Sequence, residues 1–150
     1  MIEKPIAEIT LRKYEKPFRL TGRELIKKLC LSIGLLQPGD GRDVIVDVLH
    51  TFLRSAENIS AKEVEKRVAQ IRKDIGLPPK GITGSNIRRQ IKRLKDIYLI
   101  ERVGNSYRVT EGEALPELFC SKIEKFYLSS IVSRVGEYLE AAEKERWKHG

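Results

Sequence analysis

Arg88, Arg89, Lys92 and Arg93 stand close together, flanked by Ser85, Asn86 and Lys95. A guanidinium is a planar fork of donors that matches two acceptors side by side, whereas an ammonium is a mobile point charge. Such groups bind anions, and a row of them suits a polyanion. Spacing decides what they can touch. Ile87, Ile91, Leu94 and Tyr98 recur at three or four residues, which predicts a helix over 84–97 with one apolar face. Ser85, Arg89, Lys92 and Arg93 then fall on the opposite face, with Asp96 the acid among them, and Arg88 and Lys95 lie on the flank. Thr83 or Ser85 caps this helix, since a short side-chain oxygen accepts a first-turn amide hydrogen.

The pattern changes after Tyr98. Leu99-Ile100 leads into Glu101, Arg102 and Val103, then Gly104-Asn105 makes a turn, and Tyr107 and Val109 alternate with Arg108. That is a small β-hairpin carrying Arg102, Asn105 and Arg108. The formal charge of the chain is +8, and residues 78–110 hold eight Lys or Arg against two acids. Residues 116–147 hold five bases against six acids, so the excess sits on the basic helix and its hairpin. A charge so placed favours a polyanion partner over mere solvation of an exposed surface.

Other elements must hold this head in place. Residues 1–18 form an arm with β-branched Ile6, Ile9 and Thr10, limited as a strand by Pro5 and Pro17. It can add an edge strand, wrap a second subunit or stay mobile, and Arg12, Lys13, Lys16 and Arg19 make it a candidate arm for backbone contacts. Thr21 and Glu24 fit a capping box for a helix over 21–33 with Leu25, Ile26, Leu29 and Ile33 inward. Gly34 and the Pro38-Gly39-Asp40-Gly41 cluster end it; no GxxxxGK[ST] occurs, so the cluster reads as a turn. A helix over 43–56 follows, with Val44, Ile45, Val48, Leu49 and Phe52 buried and Asp43 and Asp47 toward solvent. Ser60 and Glu63 predict a second capping box, with Ile59 as its staple, for a helix over 60–75.

Helix, helix, basic helix and hairpin, in that order over residues 41–112, resemble the winged helix-turn-helix superfamily of DNA-binding domains. The most specific part is IRRQIKRLKDIYLIERVGNSYRVT, residues 87–110. The resemblance implies a mainly α fold with a small β-hairpin wing, an extra N-terminal helix and a long C-terminal helix. It implies that the basic helix enters the major groove of double-stranded DNA and that the wing lies beside it. Arg89 and Arg93 then read guanine edges, Lys92 meets phosphate, and Ser85 and Asn86 meet phosphate at the helix start. Arg88 reads, holds phosphate or packs on the body, while Arg102, Asn105 and Arg108 reach the minor groove or its phosphates. In such domains glycine often precedes the hydrophobic step where this chain has Tyr98.

From Pro116 the sequence is helical again to about Trp147, more than about 40 Å if unbroken. Phe119, Ile123, Phe126, Tyr127, Ile131, Val135, Tyr138 and Leu139 give it a wide apolar surface. Pairing with a second copy covers that surface and doubles the basic helices, so a homodimer is expected, with residues 113–150 as its dimerisation segment and residues 1–40 as an N-terminal arm and helix. A helix folded back over its own core, bent at Gly136, is the competing reading. The apolar steps do not stay in one heptad register, which argues against a simple coiled coil.

Catalytic chemistry finds little support. Ser60 and Ser85 serve as caps with no His nearby, and His50 borders an apolar stripe without a nucleophile or acid in arrangement. Cys30 and Cys120 are far apart, and His50 and His149 are isolated, so no metal-ligand spacing arises; buried free thiols are expected. No cofactor is called for. No leader-like apolar segment or membrane-length run is visible, so a cytoplasmic location is expected. The function expected is sequence-specific DNA binding by a transcriptional regulator. The alternative is a protein-interaction scaffold within a nucleic-acid-processing or chromosome-maintenance assembly.

Overall fold

A computed structural model describes residues 3–148 of the chain; His149 lies outside them. The fold is mainly helical with one two-stranded antiparallel sheet. Helices α1 (Gly22–Ser32), α2 (Val44–Leu53), α3 (Ala61–Asp74) and α4 (Gly84–Asp96) precede strands β1 (Ile100–Val103) and β2 (Ser106–Val109). A 3₁₀ turn (Thr110–Gly112) then leads to a long C-terminal helix in three parts: α5 (Leu115–Leu118), a π-helical stretch (Phe119–Leu128) and α6 (Ser129–Glu145).

The centre is α2, which is apolar on nearly every side and buries Val44, Ile45, Val46, Val48, Leu49 and Phe52. Such a helix must be surrounded, and α1, α3 and α4 all pack against it. From α3 come Val64 and Val68, and from α4 Ile87, Ile91 and Leu94. Truncating any of these large α4 side chains to Ala would cost about 2–5 kcal/mol, because each is fully enclosed. Cys30, Leu35, Leu36, Leu118 and Ile123 belong to the same core. One core therefore draws on the N-terminal, central and C-terminal stretches alike.

Local chemistry sets the helix ends. Ser60 Oγ accepts the Glu63 N–H at 3.1 Å, but the Glu63 carboxylate turns to Arg67 instead of closing the box. Ile59, expected as a staple, is buried and exchanges two backbone hydrogen bonds with Tyr107, at 2.8 and 3.0 Å. Thr83 rather than Ser85 caps α4, accepting the Asn86 N–H. Thr21 holds the cap position of α1 with no side-chain bond, so the box expected with Glu24 does not form. The hairpin pairs Val103 with Ser106 around Gly104-Asn105, and only Gly104 of the two has positive φ. A two-residue loop with Gly first gives the twist that the flanking strands need.

The end of α4 departs from ordinary chemistry. Tyr98 has φ +66°, a left-handed conformation that suits glycine, and the Leu99 N–H closes on the Leu94 carbonyl as in a Schellman C-cap. The Tyr98 ring is held edge-to-face by Phe126 and Tyr127, with centroids 6.0 and 5.7 Å away. Aromatic packing on the C-terminal helix thus stabilises a backbone geometry the residue itself disfavours.

The N-terminal arm is neither an edge strand nor free. The Arg12 N–H donates to the Ser32 carbonyl, and its guanidinium to those of Leu31 and Leu36. Thr10 lies so close to Gly34 that a Cβ there would sit 2.7 Å from it. The Tyr127 hydroxyl bonds both the N–H and the carbonyl of Glu8. Arg12, expected to be available for backbone contacts elsewhere, is engaged within its own chain.

The C-terminal helix is divided. Its first half folds back, as the competing reading had it, with Leu118 and Ile123 fully buried. These lie five residues apart, a spacing an α-helix would send to different faces. The π-helical stretch, with hydrogen bonds to the fifth residue, brings them toward one face. Ile123 and Phe119, expected in a dimer face, instead pack in or against the chain's own core. Beyond Leu128 no residue of α6 is buried, and α6 runs through Gly136 as one helix. No helix of the described residues is long and apolar enough to cross a membrane.

Candidate functional site

The outward face of α4 carries Ser85, Arg88, Arg89, Lys92, Lys95 and Asp96, all exposed, while Ile87, Ile91 and Leu94 are sealed beneath. Lys92 pairs with Asp96 at 3.0 Å across one turn, an exposed contact that water screens heavily. Arg88 and Arg89 have no hydrogen-bond or ion-pair partner among the described residues. Arg89 is thereby open, whereas the Arg88 guanidinium and the Glu65 carboxylate of α3 both lie over Gly84 without forming an ion pair, and the buried stripe keeps the helix from rotating either arginine away. Ser85 Oγ stands 3.4 Å from the Thr83 hydroxyl and is otherwise open.

Two residues expected on this face are placed otherwise. Arg93 is half-buried and donates to the Leu35 carbonyl at 2.6 Å and to Gln90 Oε1 at 2.9 Å. The expectation that it shares the outlook of Arg89 is corrected: its side chain leans toward the α1–α2 loop, where the Leu35 carbonyl accepts its N–H. Asn86 is likewise engaged, its side-chain N–H donating to the Gly81 carbonyl and its Oδ1 accepting from Gln90 Nε2. It braces the loop before α4.

On the hairpin, Arg102 and Asn105 are exposed, and Arg102 leans on the Gly104 carbonyl through Nε. Arg108 forms an ion pair with Glu101 at 2.7 Å, so the charge expected to face a partner is largely answered inside the strand pair. The Glu101 carboxylate is held below its ordinary pKa by the backbone N–H of Glu111, with burial opposing and Arg108 assisting.

At the start of α2 lies a cluster that spacing along the sequence does not reveal. Asp43 and Asp47, expected toward solvent, are buried between Arg23 of α1 and Arg72 of α3. Arg23 reaches Asp47 at 2.7 Å and Asp43 at 3.0 Å; Arg72 reaches them at 2.8 and 3.1 Å and also donates to the Pro78 carbonyl. Burial works against the charged Asp43, and hydrogen bonds from Arg23 and Arg72 outweigh it, so its pKa falls below the ordinary value. The signal was present: two carboxylates one turn apart, on a helix otherwise apolar all round, cannot both reach water. Their arginine partners come from other helices, which spacing alone does not reveal. The cluster fixes the loop leading into α4.

The remaining reactive groups are quiet. Both cysteines are free, and burial pushes the Cys30 thiol up to about 12. His50 is lowered, chiefly by burial and then by Arg54, and its Nδ1 is buried without a partner. Compared with family models, with curated proteins and with solved structures, the chain gives no match in any of the three.

Proposed function

We propose that this chain is a winged-helix protein that binds double-stranded DNA through α4, working as a homodimer and regulating transcription. The observation that carries the reading is the outward face of α4, where Arg88 and Arg89 stand exposed and unpaired over a sealed apolar stripe. The arrangement around it is consistent. A helix, a single bridging residue at Ile59, two further helices and a hairpin follow in sequence, and Ile59 extends the hairpin as a third, minimal strand. Arg89 is the candidate base reader, Lys92 and Lys95 the phosphate contacts, and Arg102 and Asn105 the wing contacts. The dimer reading draws on α6, whose Val132, Val135, Tyr138 and Leu139 are more than half exposed. Past the π-helical stretch, Ile131, Val135, Tyr138 and Ala142 recur at steps of four, three and four, a register suited to pairing with a second copy.

The test is fluorescence anisotropy of a selected duplex and a scrambled one across a salt series. Arg89→Ala should cost about 1–3 kcal/mol on the selected duplex and narrow its advantage over the scrambled one. Unchanged discrimination would leave the face as an electrostatic footprint only. Equilibrium sedimentation of the full chain and of a Val135→Glu, Leu139→Glu variant checks the dimer, which the variant should dissociate. The same α6 face is what a protein-scaffold reading would use, and it moves ahead if neither duplex binds.

A further inference from the structure

A second exposed feature lies far from α4 in sequence but on the same end of the fold. Residues Lys16, Pro17, Phe18 and Arg19 are all exposed, and the Phe18 side chain is 76% open. The Phe18 N–H closes on the Lys16 carbonyl at 2.8 Å, and Arg19 adopts φ +62°. Pro17 restricts the backbone further. The result is a tight turn that holds an unpartnered aromatic ring out between two cations.

A chain of contacts fixes its position. The turn runs into α1, whose Arg23 grips Asp43 and Asp47 at the start of α2. Asp43 also takes Arg72, which holds the Pro78 carbonyl in the loop before α4. Further along that loop, a Cβ at Gly81 would stand 3.2 Å from both the Val44 and Asn86 side chains, and Asn86 belongs to the first turn of α4. The starts of α1, α2 and α4 are thereby bound to one end of the molecule. Exposed Arg42 and Lys80 lie in the segments between them.

We infer that the Lys16–Arg19 turn is a second nucleic-acid contact, in which Phe18 lies against a base face at an opened step flanking the α4 site, while Lys16 and Arg19 hold the phosphates on either side. The inference rests on the reading of α4 as a DNA-binding helix. An apolar wedge between base steps and a ring stacked on a base are both established uses of an exposed phenylalanine. A turn already fixed in shape presents the ring with little ordering cost. The ring stands open to water, and its cationic neighbours favour a polyanion over an apolar partner.

The test uses the full chain and two labelled duplexes with the same selected centre. One ends at the α4 footprint; the other extends a helical turn on both sides and carries 2-aminopurine in the extensions. The unmodified protein should prefer the extended duplex and raise its 2-aminopurine fluorescence. Phe18→Ala should lose about tenfold on the extended duplex, none on the short one, and abolish the fluorescence rise. Phe18→Trp should retain both. Arg19→Gly, which eases the backbone, should lower the salt slope on the extended duplex by about one. If Phe18→Ala binds both duplexes like the unmodified chain while Arg89→Ala still loses discrimination, the inference falls and the α4 reading stands. If Arg89→Ala is silent as well, the α4 reading falls with it. Equal weakening on both duplexes with a lowered melting temperature, or dissociation of a dimer by Phe18→Ala, would assign the ring a structural or self-association role and overturn the inference.

Discussion

Arg72 and Arg89 are the same side chain on adjacent helices, and they stand in opposite environments. Arg72 is 5% exposed, with its guanidinium divided among Asp43, Asp47 and the Pro78 carbonyl. Arg89 is open to water and touches no acid among the described residues. A count of charges treats them alike. What separates them is the company each helix keeps: α2 is so apolar that its two carboxylates have nowhere to go but against arginines from α1 and α3. The buried carboxylates of α2 therefore hold cations from α1 and α3 by ion pairing, while Arg89 on α4 stays open because Asp96, the acid on its face, pairs with Lys92. Rigidity below and availability above are two halves of one arrangement, since the cluster anchors the loop that aims α4.

The largest effect should come from breaking the lower half. Asp47 has no exposure and accepts from both Arg23 and Arg72. Asp47→Ala leaves buried Arg72 without its nearest carboxylate and should lower stability by about 3–5 kcal/mol, read from urea unfolding. A loss under about 1 kcal/mol would mean that water or Asp43 readily takes over, and the contrast with Arg89 would lose its basis.

Arg93 tests the boundary between the halves, because it belongs to α4 yet behaves like Arg72. Removing it deprives the buried Leu35 carbonyl of a charged donor at 2.6 Å. Arg93→Ala should cost about 1.5–3 kcal/mol of stability and leave discrimination between duplexes unchanged. Loss of discrimination at full stability would return Arg93 to the reading face.

Tyr98 sharpens the comparison at the far end of α4. Both Tyr98→Ala and Tyr98→Gly lose the contacts with Phe126 and Tyr127, but only glycine accepts φ +66° without strain. The glycine variant should therefore be the more stable of the two by about 1 kcal/mol, the reverse of their order inside a helix. Melting curves of the pair decide it, and an alanine variant as stable as glycine would remove the strain argument.

How much of this was legible follows from the range of the interactions. The helices of the first hundred residues and the hairpin were readable because periodicity and turn chemistry act within a few residues; Ile87, Ile91 and Leu94 lie buried where their spacing puts them. The outward direction of Ser85, Arg89 and Lys92 follows from the same arithmetic. Arg93 shares the Arg89 side by spacing, but the Leu35 carbonyl in the α1–α2 loop draws its guanidinium inward, and no spacing within α4 reveals that carbonyl. The split of the C-terminal helix was hidden for another reason. Heptad arithmetic assumes α-geometry throughout, and the π-helical stretch resets the register between Ile123, which is buried, and Val135, which is not. Arg–Asp pairs between helices, and the hold of Tyr127 on Glu8 across most of the chain, are long-range by nature.

The smallest effect concerns Arg108, whose charge is answered by Glu101. The Glu101 pKa is lowered in the folded chain by the Glu111 N–H, against burial and with help from Arg108. A carboxylate with a depressed folded value contributes stability that is complete above its unfolded value, about 4.3, and lost as pH falls through the folded one. Glu101→Gln should thus flatten the acid limb of stability below about pH 4.3, and by no more than about 1 kcal/mol because the pair is partly solvated. The same change releases Arg108 toward any polyanion at the hairpin. Duplex affinity at neutral pH should rise slightly, with the salt slope steeper by up to about one. If the acid limb flattens and the slope does not move, the hairpin lies away from the duplex, and the binding surface narrows to α4 itself.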